Sequence, residues 1–158
     1  MTREKKQELT LRITQANKTE LIEILYEMVL CYVDDAVKAH ENGDRAEYRD
    51  SIRKTRGCIN ELLSSLNLDY NLAMNFLQLY LYCNRELALA DVKNDCEHLE
   101  HVHRVVGKLQ EAYVELAKQD TSGPVMQNSQ TVYAGLTYGR GELTENMADQ
   151  GMNRGFRA

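Results

Sequence analysis

The sequence predicts an all-α protein: an antiparallel up-and-down four-helix bundle with an N-terminal arm and an irregular C-terminal tail. Three observations predict it. The 158 residues hold one proline and no tryptophan, and Leu, Glu, Ala and Asn are plentiful, which favours helices over a turn-rich sandwich. Between residues 17 and 120, apolar residues recur at spacings of three and four in most of the chain. After Asp120 that pattern stops, and the rest of the chain carries the only proline and six of the nine glycines. The expected division is an arm over 1–16, a bundle over 17–120 and a Gly-rich flexible tail over 121–158.

The first predicted helix starts at Asn17, which with Glu20 three residues on resembles a capping box; Thr19 is a rival cap. Leu21, Leu25, Met28, Tyr32 and Ala36 form its stripe, widened by Ile22, Val29 and Val33. It should end near Gly43, which can adopt the left-handed conformation of a helix C-terminus. Asp44 then caps a second helix, with a regular seam of Tyr48, Ile52, Thr55, Ile59, Leu62 and Leu66. Gly57 interrupts it at a cost of about 1 kcal/mol in helix propensity, so either a neighbouring helix comes close there or the position is weak.

The third segment, about Tyr70 to Lys93, contains "FLQLYLYCNREL", where leucines alternate with Gln78, Tyr80 and Tyr82 in the period of a strand. The segment is far longer than a usual strand of about five or six residues and has no glycine or proline, so it is a helix. Leu72, Phe76, Leu79, Cys83, Leu87 and Ala90 make one apolar line. Ala73, Leu77, Tyr80, Leu81, Asn84 and Ala88 make a second beside it. A bundle helix normally needs one stripe, so this one calls for additional cover, from the chain's own arm or tail or from another chain's amphipathic helix. Asn94 or Asp95 should cap the fourth helix, whose stripe is Leu99, Val102, Val106, Leu109, Tyr113 and Leu116. Short connections make consecutive helices antiparallel neighbours. In the tail, Val132, Tyr133, Leu136, Tyr138 and Phe156 are apolar spots suited to a docking motif.

Charge and motifs exclude several function classes. Net charge is −5 with a pI near 5.4, which argues against a nucleic-acid partner, since phosphate neutralisation needs a basic surface. No apolar run approaches the roughly 20 residues of a membrane span, and the N-terminus lacks a signal-peptide core. The expected location is the cytosol, without direct membrane insertion. Cys31, Cys58, Cys83 and Cys96 form no C-x-x-C pair and read as reduced thiols. Arg45, Arg49, Arg53 and Arg56 read as a solvated basic stripe. There is no Walker loop and no G-x-S-x-G, so neither an enzyme nor a cofactor is expected.

Histidines offer one further possibility. His98 and His101 lie one turn apart near Cys96, Glu97 and Glu100, but zinc usually takes three or four ligands converging from separate elements. They are therefore read as a solvated face with Glu97–His101 and Glu100–Arg104 pairs, and no metal site is assigned. Glu100-x-x-His103 matches a di-iron motif only by chance, because no second such pair occurs on another helix.

Four stretches taken in order resemble a known family, the flagellar secretion chaperones of the FliS type. They are "ITQANKTELIEILYEM", "ENGD", "CINELLSSLN" and "LYLYCNRELALADVKND", and the resemblance as a whole spans about residues 13–118. Departures are Asn17 and Lys18 in place of Ser-Pro, Met28 in place of glycine, Leu81 in place of an acid, and Asp69 and Tyr70 in place of Gly-Gly. The resemblance implies an export chaperone that binds the C-terminal helical region of newly made flagellin, prevents premature polymerisation and assists delivery to the flagellar type III export apparatus. Its implied partners are that flagellin segment and the export gate. The alternative is a helical regulatory adaptor that binds another flagellar or cytoplasmic protein.

Position by position, the resemblance implies cargo contacts at Ile59, Leu62, Leu63 and Leu66, and at Leu77, Tyr80, Leu81, Asn84 and Leu87. Some of these must be core, with the seam residues Ile59, Leu62 and Leu66 foremost. It also implies an N-terminal segment that covers part of the groove when cargo is absent. Leu9, Leu11 and Ile13 alternate, so an extended arm is expected to press all three side chains onto the bundle.

Overall fold

The computed structural model describes residues 1–126 of the 158. The tail positions Val132, Tyr133, Leu136, Tyr138 and Phe156 lie outside the described residues. Among the described residues five helices follow one another: α1 (Arg3–Gln15), α2 (Lys18–Glu41), α3 (Arg45–Ser64), α4 (Ala73–Lys93) and α5 (Glu97–Gln119). Helices α2 to α5 form the bundle in cyclic order, since α2 packs on α3 and α5, and α4 packs on α3 and α5. Neighbours run antiparallel. Across α3 and α4, Tyr48 reaches Ala90 while Asn60 reaches Asn84.

Local chemistry sets the helix ends. Asn17 and Glu20 complete the capping box of α2, each side chain accepting the other's backbone N–H. Thr19, the rival cap, bonds instead to Asp120 at the far end of α5. Gly43 stands at φ +71°, the left-handed turn expected after α2, and the Asp44 carboxylate accepts from Glu47 N at 3.0 Å. Asn94 does not start α5. It is the left-handed C-cap of α4 (φ 57°), held by His40 Nε2 at its carbonyl and Arg45 at its side chain, and Cys96 precedes α5 instead. Asn tolerates that conformation better than most residues, so it serves as a stop rather than a start.

The core is built from Tyr26, Val29, Val33 and Ala36 on α2, Tyr48, Ile52, Ile59 and Leu62 on α3, Cys83, Leu87 and Ala90 on α4, and Leu99, Val102 and Val106 on α5. The seams read from α3 and the first half of α5 are the buried lines. On α2 the expected stripe is buried at Val29, Val33 and Ala36, whereas Leu21, Leu25, Met28 and Tyr32 are only half-buried. The cause is that α2 touches three helices, so its apolar residues spread over flanks as well as the centre. On α4, Leu72 is exposed rather than core, because the helix begins only at Ala73.

The N-terminal segment is a helix, not an extended arm. A helix brings Leu9 and Ile13 to one face and turns Leu11 away, which explains why Leu9 is 2% exposed and Leu11 60%. Leu9 and Ala16 pack with Ile24, and Met1, Ile13, Leu21 and Met28 surround them. Among the described helices α1 contacts only α2, running antiparallel to it. Its charged edge reinforces the docking: Lys5 and Arg12 each lie 2.6 Å from a Glu27 carboxylate oxygen, and Arg12 lies 3.4 Å from Glu23. The chain returns to this corner after α5, where Val125 N donates to Ala16 O at 3.0 Å.

Candidate functional site

The nine candidate contact residues fall into two groups. Ile59, Leu62, Tyr80 and Leu87 are core residues at 0–2% exposure, so no partner reaches them while the bundle is closed. Leu63 and Leu66 are half-buried against that core, Leu77 and Asn84 are half-buried, and Leu81 is 53% exposed. The two apolar lines of α4 therefore do not divide as lines. Tyr80 turns inward, where its hydroxyl bonds to that of Tyr26 and its ring meets Phe76 at 6.1 Å. Burial pushes the Tyr80 phenol up to about 12, and burial first, then the bond to Tyr80, pushes Tyr26 higher still. Tyr82 lies half-buried at the side with Arg85 over its ring.

Met74, Leu77, Leu81 and Asn84 follow at spacings of three, four and three, and they form the outer stripe of α4. Leu68, Tyr70 and Leu72 of the α3–α4 connection extend the exposed apolar surface beyond its start. At the other end Asn84 Nδ2 donates to Asn60 Oδ1 of α3 at 3.1 Å. Asn60 also lines a cleft of about 690 Å³ between α3 and α4, together with Arg49, Arg53, Arg56, Gly57 and Asp91. The expected solvated arginine stripe is thus one wall of a cleft, partly paired: Arg49 meets Asp91 at 3.0 Å and Arg53 meets Asp50. Among the described residues no helix comes close at Gly57, since an added Cβ would meet nothing within 4 Å. Sequence reasoning misses Met74 and the connection: the expected second line of α4 starts at Ala73, which is buried, and Met74 one position on is exposed instead.

The histidine reading also changes. His98 and His101 do not lie on a solvated face paired with Glu97; both aim Nδ1 at the same oxygen of Glu86 on α4, at 2.8 and 2.7 Å. Burial pushes the Glu86 carboxyl up, but the two imidazole N–H groups outweigh it and hold it below the usual carboxylate range. The available signal was an acid in "RELALA" directly before core Leu87, on the helix that faces α5.

A four-helix bundle with a clamped N-terminal helix and an apolar outer stripe beside a polar cleft defines the class: a small helical-bundle protein with a groove on one side. Residues 1–120 match the family model described as Flagellar protein FliS, and the chain belongs to that family. A relative from Bacillus subtilis (strain 168), named flagellar secretion chaperone FliS, is 28% identical over 108 residues, covering 68% of this chain and 81% of the relative. Among the described residues no helix is long and apolar enough to cross a membrane.

Proposed function

We propose that this chain is a flagellar export chaperone that binds the C-terminal helical region of newly made flagellin. In that role it prevents premature polymerisation and assists delivery to the export apparatus, with the export gate as second partner. The carrying observation is the outer stripe of Met74, Leu77 and Leu81, exposed at Met74 and Leu81 and half-buried at Leu77, on a helix whose opposite face is already buried in its own core. Burying a fully exposed leucine or methionine stabilises by roughly 1.5–3 kcal/mol, so Leu81 and Met74, both about half exposed, would each contribute near the lower end. An amphipathic segment that is unfolded when free pays its ordering entropy on binding, which moderates affinity and keeps release possible. Arginines in the adjoining cleft would suit acidic side chains on the bound segment.

The residues proposed to touch cargo are Leu63, Leu66, Leu77, Leu81 and Asn84, joined by Met74, with Ile59, Leu62, Tyr80 and Leu87 supporting them from below. α1 is proposed to regulate access by shielding Ile24 and Met28 of α2, a different face from the α4 stripe. The test is co-purification with a peptide of the C-terminal flagellin region: a one-to-one complex supports the chaperone reading, and no complex removes it in favour of the adaptor.

A further inference from the structure

We propose that Glu86, His98 and His101 form a binding site for a divalent transition-metal ion of the zinc type, joining α4 to α5. Their ligand atoms all lie within 4.8 Å of one another, on two separate helices. Glu86 Oε2 receives both Nδ1 atoms at 2.7 and 2.8 Å, and the two imidazole rings stand at 89° with centroids 5.9 Å apart. Zinc binds nitrogen and carboxylate oxygen at about 2.0–2.2 Å, so tetrahedral neighbours sit roughly 3.3 Å apart. The carboxylate oxygen needs to recede only about half an ångström from each ring to admit the ion. Two imidazoles and one carboxylate are a donor set for zinc, cobalt or nickel rather than for calcium or magnesium.

Burial supports the assignment. Glu86 and His98 are buried, while the His101 side chain is 34% exposed, so the cluster has a solvent rim for entry and for a fourth, water ligand. The other Glu86 oxygen lies 4.0 Å from Arg85 Nε, and among the described residues it has no closer cation. One group opposes the ion: Lys93 Nζ lies 3.0 Å from His98 Nε2. Its donation there requires the His98 proton on Nδ1, whereas metal on Nδ1 moves that proton to Nε2. Lys93 is exposed and can swing into solvent, so it tunes the affinity without blocking the site.

Full-length protein without a histidine tag, titrated with Co²⁺ and then competed with Zn²⁺, tests this. One equivalent of cobalt with tetrahedral d–d absorption is expected. Glu86→Gln and His101→Ala should each weaken binding about tenfold or more. His103→Ala, on the same helix but outside the cluster, should change nothing. Lys93→Gln should tighten binding about threefold by removing the adjacent charge. His101 is half-exposed, so its alanine variant remains folded by circular dichroism even if Glu86→Gln does not. No stoichiometric binding at about 0.1 mM metal, or binding that survives His101→Ala, overturns the proposal.

Discussion

The hydroxyls of Tyr80 on α4 and Tyr26 on α2 are hydrogen-bonded to each other inside the bundle, while the next residue, Leu81, faces outward. Neighbouring positions on α4 therefore have opposite consequences when charged. Tyr80→Asp buries a carboxylate without a cation and leaves the Tyr26 hydroxyl in altered surroundings. It should cost more than about 4 kcal/mol and abolish cooperative unfolding, whereas Leu81→Asp should change stability by less than about 1 kcal/mol. Thermal melts followed by circular dichroism compare the two. A stable Tyr80→Asp protein would contradict the core role of that ring.

Gly57 lies on a helical turn with open space around it. Gly57→Ala should stabilise the protein by about 0.5–1 kcal/mol, because alanine loses less backbone entropy on folding and meets no neighbour. Urea unfolding measures this. A destabilised variant would mean that α4 approaches α3 more closely there.

Glu27 holds α1 through both Lys5 and Arg12. Burial pushes its carboxyl up, but the bonds from those two cations outweigh burial and leave it below the usual range. A lowered folded-state pKa gives stability that is present above the unfolded value and lost as pH falls through the folded one. Docking of α1 should therefore hold from pH 5 to 8 and loosen below about pH 4. Glu27→Gln should loosen it at neutral pH. Hydrogen exchange of residues 3–15 reports both, and equal protection at pH 3.5 and pH 7 would count against the clamp.

Deleting residues 1–14 removes Leu9 and Ile13 from the α2 face and uncovers Ile24 and Met28. If α1 regulates access, the truncated protein binds the flagellin segment more tightly than the full chain in a calorimetric titration. Equal affinity would confine binding to the α3–α4 side and end the regulatory role of α1.

Much of this architecture was legible because helix seams are local. Tyr48, Ile52, Ile59 and Leu62 show their spacing without reference to anything else, and the Asn17–Glu20 box marks its helix start in four residues. The α4 groove was only half legible, since period and composition show two apolar faces but not which one turns inward. Tyr80 is core because Tyr26 reaches it from another helix, 54 positions away in sequence. The Glu86–His98–His101 cluster was hidden for the same reason: the two histidines are visible at their i, i+3 spacing, but the acid that gathers them lies on the preceding helix. In α1, the alternation of Leu9, Leu11 and Ile13 suggested an extended arm, and the i, i+4 pair Leu9–Ile13 with the Glu27 clamp favours a helix instead.

The most direct test is a calorimetric titration of the C-terminal flagellin peptide into the wild-type chain and into Leu81→Asp. The account predicts a one-to-one complex with the wild type. It also predicts at least a tenfold loss of affinity in the variant, about 1.4 kcal/mol, with helicity and melting temperature unchanged. Equal affinity for the two proteins would contradict the α4 stripe as the cargo surface.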